Sequence, residues 1–363
     1  MDRNELQGIA AHLLAKERRI ICQWATGCGK SRVAIRFLKD NPYMNCLILV
    51  PEQDNINNWI EEFNDAGQPI ANVVVACYAS LHKYTDTKWD LLVLDEVPHI
   101  DTDKRIAMLR SVTGDYVLAL GAVVDEEETA SLEYVYGHFV KSSISLERAI
   151  EMNILPTPKV FIMHLQMDDT IRKYKYNGSS YTAAGYYRVL NRQVERARDE
   201  YNLKPNKMTR QKMLRAGNTR KRFLGSQKDD AIRRICAKLE EKDRRYLCFC
   251  SSIPQANAIG GNHAYTSKTD KSAKLLERFN VGEINSLFVV GKLIEGQNLK
   301  DVHCGVLGQI GGTERISVQA IGRIMRSKEP RVYIPIFDDT KDESFLYTVT
   351  SNIPERYIKH YKF

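Results

Sequence analysis

The feature that most constrains the fold is the segment ATGCGKS at residues 25–31. An apolar run with the length of a buried strand, Arg18–Trp24, precedes it. A segment with apolar side chains at helical spacing, Ser31–Asp40, follows it. The glycines therefore fall on a strand-to-helix turn, which is where phosphate-binding loops occur. This order predicts an α/β architecture built on a parallel sheet.

The residue types in the turn suit a bound triphosphate. Gly27 and Gly29 let the backbone approach an anion closely, and the N–H groups at the start of the helix point toward it. Lys30 is expected to reach the β- and γ-phosphates of ATP, and the Ser31 hydroxyl to bind Mg²⁺. The alternative is an ordinary glycine turn, because Trp24 stands where the P-loop pattern has its first glycine. The residues predicted to hold the nucleotide here are Thr26, Gly27, Cys28, Gly29, Lys30 and Ser31.

A second segment supplies carboxylates. Residues Asp90–His99 read DLLVLDEVPH, an apolar strand that ends in two adjacent acids. Asp95 can hold the Mg²⁺ shell, while Glu96 can orient and deprotonate an attacking water. A strand followed by an acidic turn is the simpler alternative. The separation of 65 positions between Lys30 and Asp95 leaves room for the βα units of an open parallel sheet, and the acidic pair favours hydrolysis over transfer.

Length and composition bound the class of protein. The chain has 363 residues, room for two or three domains, with 43% hydrophobic and 27% charged residues. No apolar run reaches membrane-spanning length, so no membrane partner is expected. The eight cysteines contain no C-x-x-C pair, which predicts reduced, buried thiols and a cytoplasmic location, or the host cytoplasm for a viral protein.

Positive charge is concentrated in the later part of the chain. Residues 1–150 contain 15 Lys/Arg against 22 Asp/Glu, whereas residues 151–363 contain 38 against 23. Residues 171–225 alone hold 15 basic and three acidic side chains, which predicts a helical arm that contacts nucleic-acid phosphates. A solvated helical hairpin with no ligand is the alternative. The arm contacts singled out are Arg220, Lys221 and Arg222, and the tyrosines interleaved with the charges are Tyr174, Tyr176, Tyr181, Tyr186, Tyr187 and Tyr201.

A second α/β unit follows the basic segment. Ser226–Lys242 has the pattern of an amphipathic helix, and short apolar strands alternate with helical segments after it. This unit has no second phosphate loop. It carries SVQAIGRIMR, in which Arg323 and Arg326 are three residues apart and share a helix face with Gln319 nearby. Two guanidinium groups held in this way can clamp a γ-phosphate.

The ordered motifs ATGCGKS, DEVPH and QAIGRIMR resemble the helicase superfamily 2 core. The resemblance covers nearly the whole chain except about residues 170–225. It implies two RecA-like parallel-sheet domains, residues 1–150 and 151–363, with the basic insertion at about 170–225 within the second. It also implies an ATPase that uses ATP and Mg²⁺ and acts on nucleic acid.

Lesser motifs extend the resemblance and imply further site residues. LILVPEQDNINNWIEEF resembles motif Ia, CYASLHK the strand and turn that touch nucleic acid, LCFCSS motif IV, and VVGKLIEGQNL motif V. A glutamine that reads adenine is expected at Gln7, and motif V is expected to place Glu295 and Gly296 at the nucleotide. The implied nucleic-acid contacts are Pro51, Ser80, Lys83, Ser251, Ser252 and Lys292.

Details of the motifs favour DNA as the substrate and bear on whether the protein separates strands. The Q-x-x-G-R-x-x-R pattern resembles restriction-enzyme subunits and phage recombination helicases more than DEAD-box RNA proteins. Pro98 and His99 depart from the usual D-E-x-H or D-E-x-D. Gly121 and Val123 replace the hydroxyl-bearing residues of motif III, which in this superfamily link hydrolysis to strand separation. The expectation is a DNA helicase or translocase; the alternatives are an ATP-switched nucleic-acid clamp with little unwinding, or an RNA helicase.

Overall fold

The fold divides into two compact units. A computed structural model describes residues 1–68, 71–97, 103–267, 272–290, 299, 301–310, 324, 327–351 and 353–363. The first unit contains Met1–Thr157 together with Leu299 and Ile324, and the second contains the other described residues from Pro158 to Phe363. Within these ranges, no helix combines the length and apolar character needed to cross a membrane.

The first unit is a six-stranded parallel sheet in the order β3-β2-β4-β5-β1-β6. Its central strands are continuous apolar runs, as expected for a parallel sheet covered on both faces; β2, for example, is buried along its whole length. The strands are β1 Arg19–Trp24, β2 Cys46–Val50, β3 Val73–Cys77, β4 Thr87–Leu94, β5 Val112–Gly121 and β6 Val140–Ile144.

Helices of the first unit alternate with these strands. Helix α1 begins at a capping box in which Asp2 accepts from the N–H of Glu5 and the Glu5 side chain accepts from the N–H of Asp2. Helix α2 buries Val33 and Phe37 on one face, as the helical spacing predicts. The helices are α1 Arg3–Glu17, α2 Ser31–Asp40, α3 Gln53–Asp65, α4 Asp103–Leu109, α5 Glu126–Tyr136 and α6 Leu146–Glu151, with a 3₁₀ turn at Tyr78–Lys83.

The second unit contains a seven-stranded parallel sheet in the order β11-β12-β10-β13-β14-β7-β15. Two parallel sheets covered by helices confirm the predicted α/β fold class. The strands of the second sheet are β7 Lys159–Leu165, β10 Tyr246–Cys250, β11 Ala264–Tyr265, β12 Ser286–Val290, β13 Cys304–Leu307, β14 Arg331–Phe337 and β15 Ile358–Lys362.

The basic segment forms a two-stranded ribbon and two long helices. Strands β8 (Tyr174–Tyr176) and β9 (Ser179–Tyr181) pair antiparallel across a turn at Asn177 and Gly178, both with positive φ, the conformation of a type I′ hairpin turn. We call helices α7 and α8, residues 183–226, the helical hairpin. The helices of the second unit are α7 Ala183–Leu203, α8 Lys207–Ser226, α9 Asp229–Glu240, α10 Ile253–Gly260, α11 Ser272–Asn280 and α12 Lys341–Thr350, with 3₁₀ turns at Gly261–His263 and Glu355–Tyr357.

The base of the helical hairpin is packed into the second unit. Tyr174 stacks on Tyr186 with ring centroids 5.4 Å apart, and Phe223 meets both rings edge-on. Tyr187 and Leu224 join an apolar cluster that reaches the sheet at β7 and β14. Tyr174, Tyr186 and Tyr187 therefore pack against protein at the base of the hairpin.

The helix predicted for Ser226–Lys242 begins later than its pattern indicates. Helix α8 continues to Ser226, and α9 starts at Asp229, because Lys228 turns inward between the two helices. Its ammonium lies 2.8 Å from a carboxylate oxygen of Asp342 at the start of α12, and neither side chain is exposed. A buried ion pair made by residues 114 positions apart thus fixes the junction.

Candidate nucleotide site

The predicted nucleotide residues of the first unit meet at one edge of its sheet. The loop at residues 25–30 follows β1 and the acidic pair follows β4, with β5 between these two strands. Because all the strands are parallel, their carboxyl ends lie along the same edge, which is where ligands bind in open α/β sheets. Lys30 is close enough to Asp95 to lower the pKa of that carboxyl.

The loop has the backbone of a phosphate cradle. Gly27 and Gly29 have φ values of 96° and 80°, which side-chain-bearing residues rarely adopt. Within the described part of the chain, the N–H groups of Gly27, Gly29 and Lys30 donate no hydrogen bond. The Lys30 ammonium donates to the carbonyl of Trp24 at 3.1 Å, which holds it over the loop. The loop therefore offers donors and one cation to an anion.

The position of Trp24 explains why a tryptophan stands where the usual loop pattern has a glycine. It is the last residue of β1 and is fully buried, so it belongs to the core of the sheet. Its indole N–H donates to the hydroxyl of Ser142 on β6 at 3.0 Å, which satisfies its polar atom. Trp24 therefore belongs to the strand, and its replacement of the first glycine of the usual pattern does not alter the turn at residues 25–30.

Gln7, on α1, contacts the backbone of the phosphate loop. It is 6% exposed, and its amide donates to the carbonyls of Cys28 and Gly29 at 3.3 and 3.2 Å. A Cβ on Gly29 would lie 2.3 Å from the Gln7 amide nitrogen and would displace that side chain, and the φ of 80° would strain any larger residue there. Gln7 was predicted to read adenine, and this position beside the loop is compatible with that prediction.

The acidic pair sits in a tight turn after β4. Asp95 accepts from the N–H of Glu96 at 3.0 Å, and Glu96 has a φ of 48°, an uncommon conformation for a residue with a side chain. Burial and the neighbouring Glu96 raise the pKa of Asp95 to about 7, against the opposing effects of Trp59 and Lys30. A cation placed beside Asp95 would relieve this charge penalty.

Two aromatic residues that the sequence pattern missed hold Asp95. The Trp59 indole on α3 donates to a carboxylate oxygen of Asp95 at 2.8 Å. The Tyr78 hydroxyl donates to the Asp95 carbonyl at 2.9 Å. Both aromatic side chains are buried, so their spacing in the sequence resembles that of ordinary core residues and carries no sign of this contact.

The residues of the first unit that were predicted to contact nucleic acid follow strands at the same edge of the sheet. Pro51 follows β2, while Ser80 and Lys83 lie in the 3₁₀ turn after β3. The motif III replacement also lies there, since β5 ends at Gly121 and Val123 follows two residues later. These positions share the carboxyl edge of the sheet with the candidate nucleotide site and lie outside its loop.

In the second unit, the two serines after β10 that were predicted to contact nucleic acid make hydrogen bonds to the nearby Gln255. The Ser252 hydroxyl caps α10 by accepting from the N–H of Gln255 at 3.3 Å. The Ser251 hydroxyl donates to the Gln255 amide oxygen at 2.8 Å. A Cβ on Gly225 would lie 2.2 Å from that of Ser251, so α8 needs glycine at this close approach.

The arm residues differ from one another in exposure. Arg220 is 8% exposed and donates to the side-chain oxygen of Asn191 on α7. Lys221 is half-buried, and burial lowers the pKa of its ammonium, whereas Arg222 is exposed. The remaining predicted residues lie outside the described residues: Pro98, His99, Lys292, Glu295, Gly296, Gln319, Arg323 and Arg326.

One sequence relative spans most of this chain. The chain is 23% identical over 351 residues to the DNA 3′-5′ translocase XPB2 of Sulfurisphaera tokodaii, an alignment that covers 90% of this chain and 79% of that protein. No protein-family model matches the chain.

Two solved structures show the same fold. The Hef helicase domain of Pyrococcus furiosus superposes with a TM-score of 0.56 at 13% identity, covering 94% of this chain and 97% of that one. The ATP-dependent Type ISP restriction-modification enzyme LlaBIII, bound to DNA, superposes with a TM-score of 0.57 at 12% identity. That match covers 99% of this chain but only 31% of the restriction enzyme.

Proposed function

We propose that this chain, a superfamily 2 helicase core, is an ATP-dependent DNA translocase or helicase that couples ATP hydrolysis to movement along DNA. One observation carries the proposal: the glycine loop after β1 and the acidic turn after β4 lie at one edge of a parallel sheet, with Lys30 close enough to Asp95 to lower the pKa of its carboxyl. This pairing of a phosphate cradle with a carboxylate pair is the arrangement that NTP hydrolysis needs.

The residues present fit ATP and Mg²⁺. The cradle offers unengaged N–H groups at Gly27, Gly29 and Lys30 within the described residues. The Ser31 hydroxyl and the Asp95 carboxylate are hard oxygen ligands of the kind that Mg²⁺ prefers. When bound there, Mg²⁺ would neutralise charge on the β- and γ-phosphates.

The protein groups then divide the work of hydrolysis. Lys30 leaves the Trp24 carbonyl to bind phosphate oxygens, and Trp59 keeps the Asp95 carboxylate oriented. Glu96, held at its unusual φ, orients a water and accepts its proton. From the sequence alone, the Arg323 and Arg326 guanidiniums are proposed to meet the charge that develops on the γ-phosphate.

DNA is the proposed polymer. The relative XPB2 is named a DNA 3′-5′ translocase, and the arginine motif of this chain follows the pattern of DNA-acting enzymes. The basic excess of the second unit supplies the charge that a phosphate backbone requires. A cytoplasmic location is proposed as well, since the eight cysteines are buried and none forms a disulfide.

A second candidate function, a DNA translocase or clamp with little unwinding, is supported by the residues at the end of β5. The positions of the motif III hydroxyls are occupied by Gly121 and Val123, which carry none. This favours a protein that moves along or clamps DNA with little strand separation. The two candidates differ in one measurable property, which is displacement of an annealed strand during ATP hydrolysis.

The experiment is ATP hydrolysis measured with no polymer, single-stranded DNA, duplex DNA and RNA, followed by a strand-displacement assay. DNA is expected to raise the rate at least about tenfold, which corresponds to ~1.4 kcal/mol of barrier. A rate that DNA leaves unchanged contradicts the proposal, and a larger response to RNA identifies an RNA enzyme. DNA-stimulated hydrolysis without displacement supports the translocase or clamp.

A further inference from the structure

A basic pocket lies between the helical hairpin and the start of α12. Its volume is about 540 Å³, and all of its lining residues belong to the second unit. The walls come from α7, from α8 and from the turn between β14 and α12. We call it the arginine pocket, because five cationic side chains line it: Arg188, Arg192, Arg198, Arg220 and Lys341.

The charges of the pocket are unbalanced. Only two carboxylates line it, Glu195 and Asp339. Among the described residues, Arg188 pairs with Asp169 at 3.6 Å, while no salt bridge engages the other four cations. Glu195 accepts a hydrogen bond from the Asn191 amide at 2.8 Å. The pocket therefore carries an excess of positive charge.

Arg220 is the most buried of the five cations and forms no salt bridge among the described residues, although the carboxylates of Glu195 and Asp342 lie near enough to raise the pKa of its guanidinium. It is 8% exposed, and its hydrogen bond goes to a neutral partner, the side-chain oxygen of Asn191. Burial lowers the pKa of its guanidinium below the ordinary value, since removal from water disfavours the charged form. Buried charges in proteins are normally paired with an opposite charge. An anion in the pocket would supply that pairing.

The attraction does not come from the end of α12. The N–H of Lys341 donates to the Tyr187 hydroxyl at 2.8 Å, and the N–H of Asp342 donates to the Thr340 hydroxyl at 3.2 Å. The Asp342 carboxylate is engaged with Lys228. Because the helix start is capped by the protein itself, the affinity for an anion must come from the arginine and lysine side chains.

The length of the basic row indicates a polymer rather than a single ion. Arg188 and Arg198 are ten residues apart on α7, a separation of ~15 Å along the helix axis. One phosphate cannot contact both, whereas duplex DNA presents a phosphate about every 3.4 Å along each strand. Resting on the function proposed above, we propose that the arginine pocket holds successive backbone phosphates of a DNA strand, with Arg220 at its floor.

The test is a salt titration of DNA affinity for Arg192→Gln/Arg198→Gln. Both side chains are exposed, so the variant should fold. Loss of two phosphate contacts is expected to weaken binding at least about tenfold and lower the slope of log K against log salt by about two. The matched control is Lys238→Gln/Lys242→Gln on and just after α9, which removes two exposed charges outside the pocket and should leave the slope unchanged.

A second variant gives a gain of binding that misfolding cannot produce. Glu195→Gln removes a carboxylate from the pocket and keeps an oxygen for the Asn191 amide. DNA affinity is expected to rise about threefold at low salt. Glu241→Gln, an exposed acid at the end of α9, is the control and should have no effect. An equal gain in both variants, or a gain in neither, contradicts the assignment of the pocket.

The outcomes separate this inference from the proposed function. If DNA stimulates the wild-type ATPase but the arginine variant keeps the wild-type salt slope, the pocket assignment is wrong and the proposed function stands. If wild-type protein neither binds DNA nor responds to it, both fail. Calorimetry with pyrophosphate distinguishes a DNA site from a site for a free anion. If the arginine variant loses pyrophosphate binding but keeps the wild-type salt slope for DNA, the pocket binds a free anion. That result overturns the DNA assignment.

Discussion

The carboxyl edge of the first sheet and the helical hairpin of the second unit are proposed to bind phosphate in two different ways. At the sheet edge, the candidate groups are few and each is held by specific contacts: Lys30 on a carbonyl, Asp95 on an indole, Glu96 in a constrained turn. On the hairpin, basic side chains are spread over two long helices, and most are exposed.

The difference follows from what each region is proposed to do. Hydrolysis depends on groups placed within a few tenths of an ångström of reacting atoms, so loss of one group removes most of the rate. Backbone binding depends on summed charge, so each contact contributes a similar small share. Substitutions at the sheet edge should therefore have large effects of the all-or-none kind, whereas those on the hairpin should have graded ones.

The largest effect is expected at the sheet edge. Lys30→Ala and Glu96→Gln should each lower the DNA-stimulated ATPase at least about a thousandfold, because one removes the phosphate cation and the other the water-activating carboxylate. Steady-state hydrolysis at saturating DNA measures this. Glu96→Gln retaining wild-type turnover would show that another group is the base and would weaken the contrast between the two regions.

The second effect concerns the arginines outside the described residues. Arg323→Ala and Arg326→Ala should each lower kcat by about 10²–10³-fold while ATP affinity stays close to that of the wild type, since their contact is strongest in the transition state. Nucleotide binding and single-turnover hydrolysis separate the two quantities. Weaker ATP binding with unchanged kcat would instead assign these arginines to ground-state binding.

The third effect tests how the hairpin is anchored. Lys228→Met leaves Asp342 buried without its partner and should cost about 3–5 kcal/mol of unfolding free energy. The double variant Lys228→Met/Asp342→Asn should recover most of that loss, because no buried charge remains. Urea unfolding measures both. Lys212→Met, which breaks the exposed pair with Glu200, is the control and should cost less than about 1 kcal/mol.

The smallest effect is expected at Lys221 and Arg222 of α8, beside the buried Arg220. Lys221→Ala/Arg222→Ala should lower the salt slope of DNA binding by about one to two and leave the ATPase measured without DNA unchanged. Arg220 is left out of this variant because its burial would mix a folding defect with the loss of charge. An unchanged slope would identify this part of α8 as a solvated spacer, and phosphate binding would then be confined to the arginine pocket.

The strands and helices of the core could be predicted from local pattern. The strand expected at Arg18–Trp24 is β1 within one residue, the helix expected at Ser31–Asp40 is α2, and the helical arm expected within residues 171–225 contains α7. Each prediction used only apolar spacing and turn residues that are contiguous in the chain. The start of α9 was missed because Lys228, a residue with no apolar signal, decides it.

By itself the sequence determined the two parallel sheets and the chemistry offered at the first sheet edge, because strand length, helical spacing and the glycines of the loop act over a few neighbouring residues. Only the tertiary structure decided which side chains meet across long separations. Trp59 reaches Asp95 36 residues away, and Arg220 turns inward onto Asn191 and into a pocket with Lys341. Such contacts depend on how helices pack on the sheets, and residue type alone does not distinguish a buried arginine without a salt bridge from an arginine in water.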